Sequence, residues 1–168
     1  MPPIASFKPI EPESARILIL GSMPGVMSLA GRRYYAHPRN SFWKIMSAIL
    51  EIPETANYAE RVCALQSASI ALWDVLHSCV REGSLDSDID AGSVKANDIP
   101  AFVRRHASIE VVCFNGAAAE KWYKQQVLPK LKNFHPIYSR LPSTSPANAS
   151  LSFVEKVEAW RGAICRDR

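Results

Sequence analysis

Two stretches of the chain concentrate side chains that can do chemistry. In Gly21-Ser22-Met23-Pro24-Gly25 the small residues let a backbone come close to a flat or anionic ligand. The run Tyr34-Tyr35-Ala36-His37-Pro38-Arg39-Asn40-Ser41-Phe42-Trp43 follows it. Tyr34, Tyr35, Phe42 and Trp43 offer ring faces on which a base can stack, and His37 and Arg39 can meet phosphate. The second stretch is Leu141-Pro142-Ser143-Thr144-Ser145-Pro146-Ala147-Asn148-Ala149. Its prolines stiffen a loop with Ser143, Thr144 and Ser145 between them, and hydroxyls and N–H groups near a helix start are common phosphate contacts. Each stretch also has a plainer reading: a tight turn before a helix, with Asn40 as its cap, and a capped turn before the last helix.

The elements that must position these residues alternate between strand and helix. Arg16–Ser22 is an apolar run ending in small residues, as expected of a strand buried on both faces of a parallel sheet. Ser69–Leu76, Ile109–Gly116 and His135–Pro142 read as further strands. Between them, Asn40 or Ser41 can cap a helix with Phe42, Ile45, Met46 and Ile49 at helical spacing, and a second helix is expected near Tyr58–Gln66. Asn97 or Asp98 can start a helix through Arg105 with Pro100 in its first turn, and Ala117 to about Gln126 is helical. Ser150 is the expected cap of a last helix that carries Phe153, Val157, Trp160 and Ile164. Met1–Ser14 is punctuated by proline and is expected to wrap the surface. Alternation of this kind implies a three-layer α/β/α fold with a central four-stranded parallel sheet and right-handed crossovers. Ligands of such folds bind beyond the carboxyl ends of the strands, where Gly21–Asn40, Asp74–Gly83, Asn115-Gly116 and Leu141–Asn148 fall.

The chain has 168 residues, 48% of them hydrophobic, which suits one domain over residues 1–168. A net charge of +4 permits an anionic partner without establishing one. Cys63, Cys79, Cys113 and Cys165 form no CxxC pair, which argues against a zinc knuckle or an iron–sulfur cluster. Met1–Ala5 lacks the basic start of a signal peptide, and no apolar run reaches the roughly 18 residues of a membrane span. The expectation is a cytoplasmic protein, not membrane-bound, with reduced and mostly buried thiols.

Together the two stretches resemble the signature loops of the uracil-DNA glycosylase superfamily, in which a G-x-x-P-G/Y loop follows strand one and a P-S-containing run follows strand four. The closer resemblance is to its hypoxanthine-DNA (deoxyinosine) glycosylase family. GSMPG at 21–25, YYAHPRNSFW at 34–43, LWDVL at 72–76, GSLDSDI at 83–89 and LPSTSPAN at 141–148 occur in that family's order. The similarity spans roughly residues 15–165.

The resemblance implies a uracil-DNA glycosylase-like fold and a monofunctional enzyme that removes a deaminated base, chiefly hypoxanthine, from DNA in base excision repair. The nucleotide would be flipped into a pocket. Many superfamily members carry Asp or Asn in the third place of the first motif, to position the attacking water. Here that place is Met23, and the family resemblance supplies Asn40 of HPRN as the catalytic group instead. By position, Phe42 or Trp43 would form a stacking wall, and Asp74 and Asn115 would read the base edge, beside their plainer readings as a loop anchor and a turn residue. Ser22, Met23 and Gly25 offer main-chain N–H groups to the pocket; Pro24 has none. Ser143, Thr144, Ser145 and Pro146 would meet DNA together with His37 and Arg39. The implied partner is double- or single-stranded DNA containing a damaged base, acted on by a monomer. This chemistry calls for no cofactor or metal. Lys44 and Lys121 lie on expected helices, so no lysine is placed to form a Schiff base and nick the strand. The rival readings are uracil or mismatch-directed excision on the same fold, and a nucleic-acid-binding module without chemistry. A serine hydrolase is disfavoured, because no Ser sits in a GxSxG elbow.

Overall fold

The computed structural model describes residues 1–166. Its strands are β1 (Ile4–Ala5), β2 (Ile17–Gly21), β3 (Ile70–Asp74), β4 (Leu76–Cys79), β5 (Lys95–Ala96), β6 (Val111–Asn115) and β7 (Ile137–Leu141). Its α-helices are α1 (Val26–Gly31), α2 (Phe42–Leu50), α3 (Tyr58–Ser67), α4 (Ile99–Arg105), α5 (Ala117–Gln126) and α6 (Phe153–Ile164).

The main sheet has the order β3-β2-β6-β7, and all its pairings are parallel, with Ile17 opposite both Ile70 and Val111, and Val111 opposite Ile137. The four strands are those expected from the sequence. Their near-continuous apolar character has the anticipated cause: helices cover both faces. Because successive side chains alternate across the sheet, Ile17 and Ile19 of β2 pack with Phe42, Ile45 and Met46 of α2, Leu65 of α3 and Trp160 of α6. Leu18 and Leu20 enter the opposite core, with Phe102 of α4 and Trp122 and Tyr123 of α5. The result is three layers, α/β/α.

The helix starts are set by local chemistry. Asn57 with Glu60, and Ser152 with Glu155, form capping boxes at α3 and α6. The cap of α6 is therefore Ser152, two residues beyond the expected Ser150. Asp98 caps α4, while Asn97 turns inward and donates to the main-chain carbonyls of Asp74 and Leu76.

Several elements differ from expectation. The strand expected over Ser69–Leu76 divides at Val75; its second part, β4, joins a small sheet of order β1-β4-β5. The opening segment does more than wrap the surface. Its β1 pairs with β4, Ile10 bridges Leu72, and Ser6 hydrogen-bonds Asp74. Helix α1 interrupts what reads as one polar loop. All four thiols are free, but only Cys79 and Cys113 are buried; Cys63 is exposed and Cys165 half-buried. Among the described residues no helix is long and apolar enough to cross a membrane.

Candidate active site

All four parallel strands deliver residues to one cavity of about 260 Å³ at their carboxyl ends. Gly21–Gly25 follow β2, Asp74 ends β3, Asn115 ends β6, and Ser143–Pro146 follow β7. Tyr35, His37 and Asn40 enter from the loop ahead of α2, and Ser84 and Asp86 from the segment after β4.

The two loops are fastened to each other. The Ser41 N–H donates to the Thr144 carbonyl at 3.0 Å. Asn115 clasps the second loop at two points: its amide nitrogen donates to Thr144 Oγ1 and its oxygen accepts from the Thr144 N–H, each at 2.9 Å. Close approach there requires a glycine next to the clasp. Gly116 has φ +91°, and a Cβ on it would lie 3.0 Å from Ser143 Cβ. From behind, Trp160 Nε1 donates to the Pro142 carbonyl and the buried Lys156 ammonium to that of Asn148.

The first motif is held as firmly. Buried Arg81 donates to the carbonyls of Pro24 and Gly83. The Val26 N–H donates to Ser84 Oγ at 2.9 Å, and Ser22 Oγ donates to Asp86 Oδ1 at 2.6 Å. The GSLDSDI segment is thus laced onto GSMPG and the start of α1 through the side chains of Ser22, Arg81, Ser84 and Asp86.

Tyr35 and Asp74 meet at the floor of the cavity. Tyr35 sits in the left-handed region, φ 55°, a strained conformation for a bulky residue that clusters at functional sites. Its ring stacks on Phe42 at 4.2 Å, and among the described residues its buried hydroxyl has no partner at good hydrogen-bond geometry, with the Asn115 amide nearby. Asp74 is 3% exposed and accepts from Ser6 Oγ at 2.8 Å through Oδ2. Burial pushes its carboxyl up to about 7; the Ser6 hydrogen bond opposes the shift, the nearby Asp86 adds to it, and Arg81 opposes it. Burial and the nearby Asp74 likewise raise the Tyr35 phenol, which stays neutral. A Cβ on Gly21 would lie 2.5 Å from Asp74 Oδ1 and 2.9 Å from the Tyr35 hydroxyl oxygen. Since Ser6 pins Asp74 and Phe42 pins Tyr35, Gly21→Ala is expected to destabilise the fold by about 1–3 kcal/mol through overpacking. Urea unfolding of the variant against the parent measures this; an unchanged midpoint would show that the floor can yield.

Of the residues expected at the site, Gly21, Ser22, Met23, Pro24, Gly25, His37, Asn40, Asp74, Asn115, Ser143, Thr144, Ser145 and Pro146 all line the cavity. Asn40 is half-buried; its Oδ1 accepts from the Phe42 N–H at 2.9 Å, so it also holds the start of α2. Two expectations need correction, the aromatic wall and the phosphate contact of Thr144. Phe42 is fully buried and Trp43, 6% exposed, donates its indole N–H to the Tyr34 carbonyl, so neither is a wall of this cavity. Both belong to the apolar stripe of α2, and the ring that faces the cavity is Tyr35. Asn115 and Thr144 satisfy each other, and Thr144 is 1% exposed. The clasp takes one amide N–H and one oxygen lone pair of Asn115, and it is burial that keeps the Thr144 hydroxyl from phosphate. Arg39, expected to meet phosphate, is exposed, and its N–H donates to His37 Nδ1.

A parallel sheet whose two strand-end loops close one small cavity defines an α/β protein with its site at the carboxyl ends of the strands. The model of the uracil DNA glycosylase superfamily matches residues 7–164, and the chain belongs to that superfamily. It is 34% identical over 147 residues to a hypoxanthine DNA glycosylase of Methanosarcina acetivorans, covering 87% of this chain and 89% of the relative. It is 37% identical over 111 residues to a hypoxanthine DNA glycosylase of Methanosarcina barkeri, covering 66% of this chain and 69% of that one. The solution NMR structure of a candidate uracil DNA glycosylase from Methanosarcina acetivorans superposes with a TM-score of 0.77 at 30% identity, over 96% of this chain and 98% of that one.

Proposed function

We propose that the protein is a monofunctional DNA glycosylase that hydrolyses the N-glycosidic bond of deaminated bases, chiefly hypoxanthine, and leaves an abasic site. The observation that carries the reading is the cavity itself. At about 260 Å³ it suits one flat base better than a whole nucleotide. Its floor holds two groups suited to a purine edge: the neutral Tyr35 hydroxyl, which has no partner at good hydrogen-bond geometry among the described residues, and Asp74, protonated in part at neutral pH. Asn40 stands at its side as the group that would hold a water against the sugar. The relatives named hypoxanthine DNA glycosylase favour hypoxanthine over uracil as the main substrate.

Hydrolysis moves electrons from the glycosidic bond onto the purine as the sugar becomes cationic. Donors aimed at the purine stabilise the charge that leaves with it, and a held water needs little further organisation to reach the anomeric carbon. At the rim of the cavity, exposed Val26, Met27 and Leu85 form an apolar lip. A larger groove lies against the other side of the Tyr34–Asn40 loop and is lined by Arg33, Lys44 and Arg61, none of which is in an ion pair among the described residues. A groove with unpaired cations beside a base pocket fits a nucleic-acid backbone. The reading places the protein in the cytoplasm, acting as a monomer.

The test uses oligonucleotides, single-stranded and duplex, that carry one inosine, xanthine or uracil. Alkali-labile sites should accumulate fastest with inosine, and no strand break should appear before alkali. Faster cleavage at uracil would transfer the reading to uracil excision. Binding to DNA with no abasic product from any substrate would leave a binding module.

A further inference from the structure

An amide can orient water but cannot take its proton near neutral pH. With Met23 in the first motif and Asn40 beside the sugar, the reaction proposed above has no base. Among the described residues that line the cavity, the carboxylates are Asp74 and Asp86. Asp74 lies on the cavity floor at 3% exposure, engaged by Ser6, where burial favours its protonated form, a poor acceptor of a proton. Asp86 is open to solvent at the cavity mouth. Its Oδ1 accepts the hydroxyl of Ser22, a residue of the first motif, which leaves Oδ2 without a hydrogen-bond partner among the described residues. Its position is set by more than that bond: Val26 N–H to Ser84 and Arg81 to the carbonyls of Pro24 and Gly83 anchor the segment ahead of the turn, and the bridge of Ile89 to Arg81 anchors it after. A carboxylate held this way by an otherwise irregular loop is preorganised toward the cavity.

We propose that Asp86 is a catalytic residue, the carboxylate that receives the proton of the attacking water and faces the cationic sugar. The water held by Asn40 forms a bond from its oxygen to the anomeric carbon. The C1′–N9 bond breaks and its electron pair leaves with the purine. The water's proton passes to the Asp86 carboxylate and then to solvent, while the purine anion takes a proton from solvent or from a floor donor. The assignment rests on the glycosylase reading.

Asp86→Asn separates charge from structure, because its amide oxygen still accepts the Ser22 hydroxyl. Single-turnover excision on an inosine-containing duplex should fall by about 10²–10⁴-fold, the usual contribution of a positioned base, with the thermal midpoint and the affinity for abasic-site DNA unchanged. Asp86→Ala should be equally slow and should regain activity with added formate or azide, which a purely structural role would not allow. The groups facing Asp86 are Arg81, Asp74, Tyr35 and Cys79, so the control is Asp88→Asn, two residues away on the exposed side of the same turn. Excision by Asp86→Asn within about threefold of the parent would overturn the assignment. So would an equal loss in the control. An inactive parent protein would instead refute the glycosylase reading itself.

Discussion

Replacing Asn40 by alanine is expected to slow single-turnover excision of hypoxanthine at least a hundredfold, the scale on which loss of precise positioning acts. The structure gives the residue two duties. One lone pair of Oδ1 accepts the Phe42 N–H, which leaves the other lone pair and the amide nitrogen for a water in the cavity. The first duty complicates a simple substitution, because losing a cap of this kind costs about 1 kcal/mol. Asn40→Asp separates the two. Its carboxylate oxygen can still hold the start of α2 and still present an acceptor to water. We expect Asn40→Ala to lose both helix stability and activity, and Asn40→Asp to keep the parent's thermal midpoint and most of its rate. Thermal unfolding and single-turnover kinetics on the same preparations check this. Parental activity in Asn40→Ala would remove Asn40 from the mechanism while leaving the fold intact.

What the sequence discloses and what it hides follow from the range of the interactions involved. The four parallel strands are legible because burial on both faces demands unbroken apolar runs, and Ile17–Leu20 and Val111–Phe114 are such runs. The two loops are legible because glycine and proline mark them. Phe42 and Trp43 mislead because an aromatic residue on the apolar stripe of α2 and one facing a ligand have the same sequence signature. Only the packing separates them, and it points Tyr35, seven residues before Phe42, at the cavity. The pairing of Asn115 with Thr144 joins residues 29 positions apart, and that of Ser22 with Asp86 joins residues 64 apart. No local pattern encodes such contacts. A hint existed in GSLDSDI, whose Ser84 and Asp86 are polar residues of a resembling block with no evident structural duty. The contribution of Ser6 was hidden for a different reason: a proline-punctuated opening segment gives no period from which its docking against β3 and β4 can be read.

Asp74 should make both stability and activity depend on pH in a direction opposite to that of most carboxylates. Its unfolded value is about 3.9, and burial raises the folded value to about 7. The folded state therefore favours the neutral carboxyl. Relative to a residue that does not titrate, Asp74 contributes stability that is fully present below about pH 4 and is lost progressively as pH rises through 7. At about 1.4 kcal/mol per pH unit the loss is on the order of 4 kcal/mol. Asp74→Asn keeps an acceptor for Ser6 and abolishes the titration. In urea unfolding the variant should be less stable than the parent, or equal to it, near pH 4.5 and should overtake it by pH 8, so that the difference between the two changes sign or grows steadily across this interval. A difference that stays constant from pH 4.5 to 8 would mean that Asp74 is ionised throughout and well solvated. The same titration bears on excision. A neutral carboxyl can donate to an acceptor on the purine edge, whereas a carboxylate beside a departing purine anion repels it, so the parent's rate should decline above pH 7. The amide of Asp74→Asn donates at every pH, and its alkaline limb should be flat even if its maximal rate is lower. Both readouts depend on the same buried proton, one through folding and one through the leaving group, and a shift in one without the other would separate the floor's structural role from its chemical one.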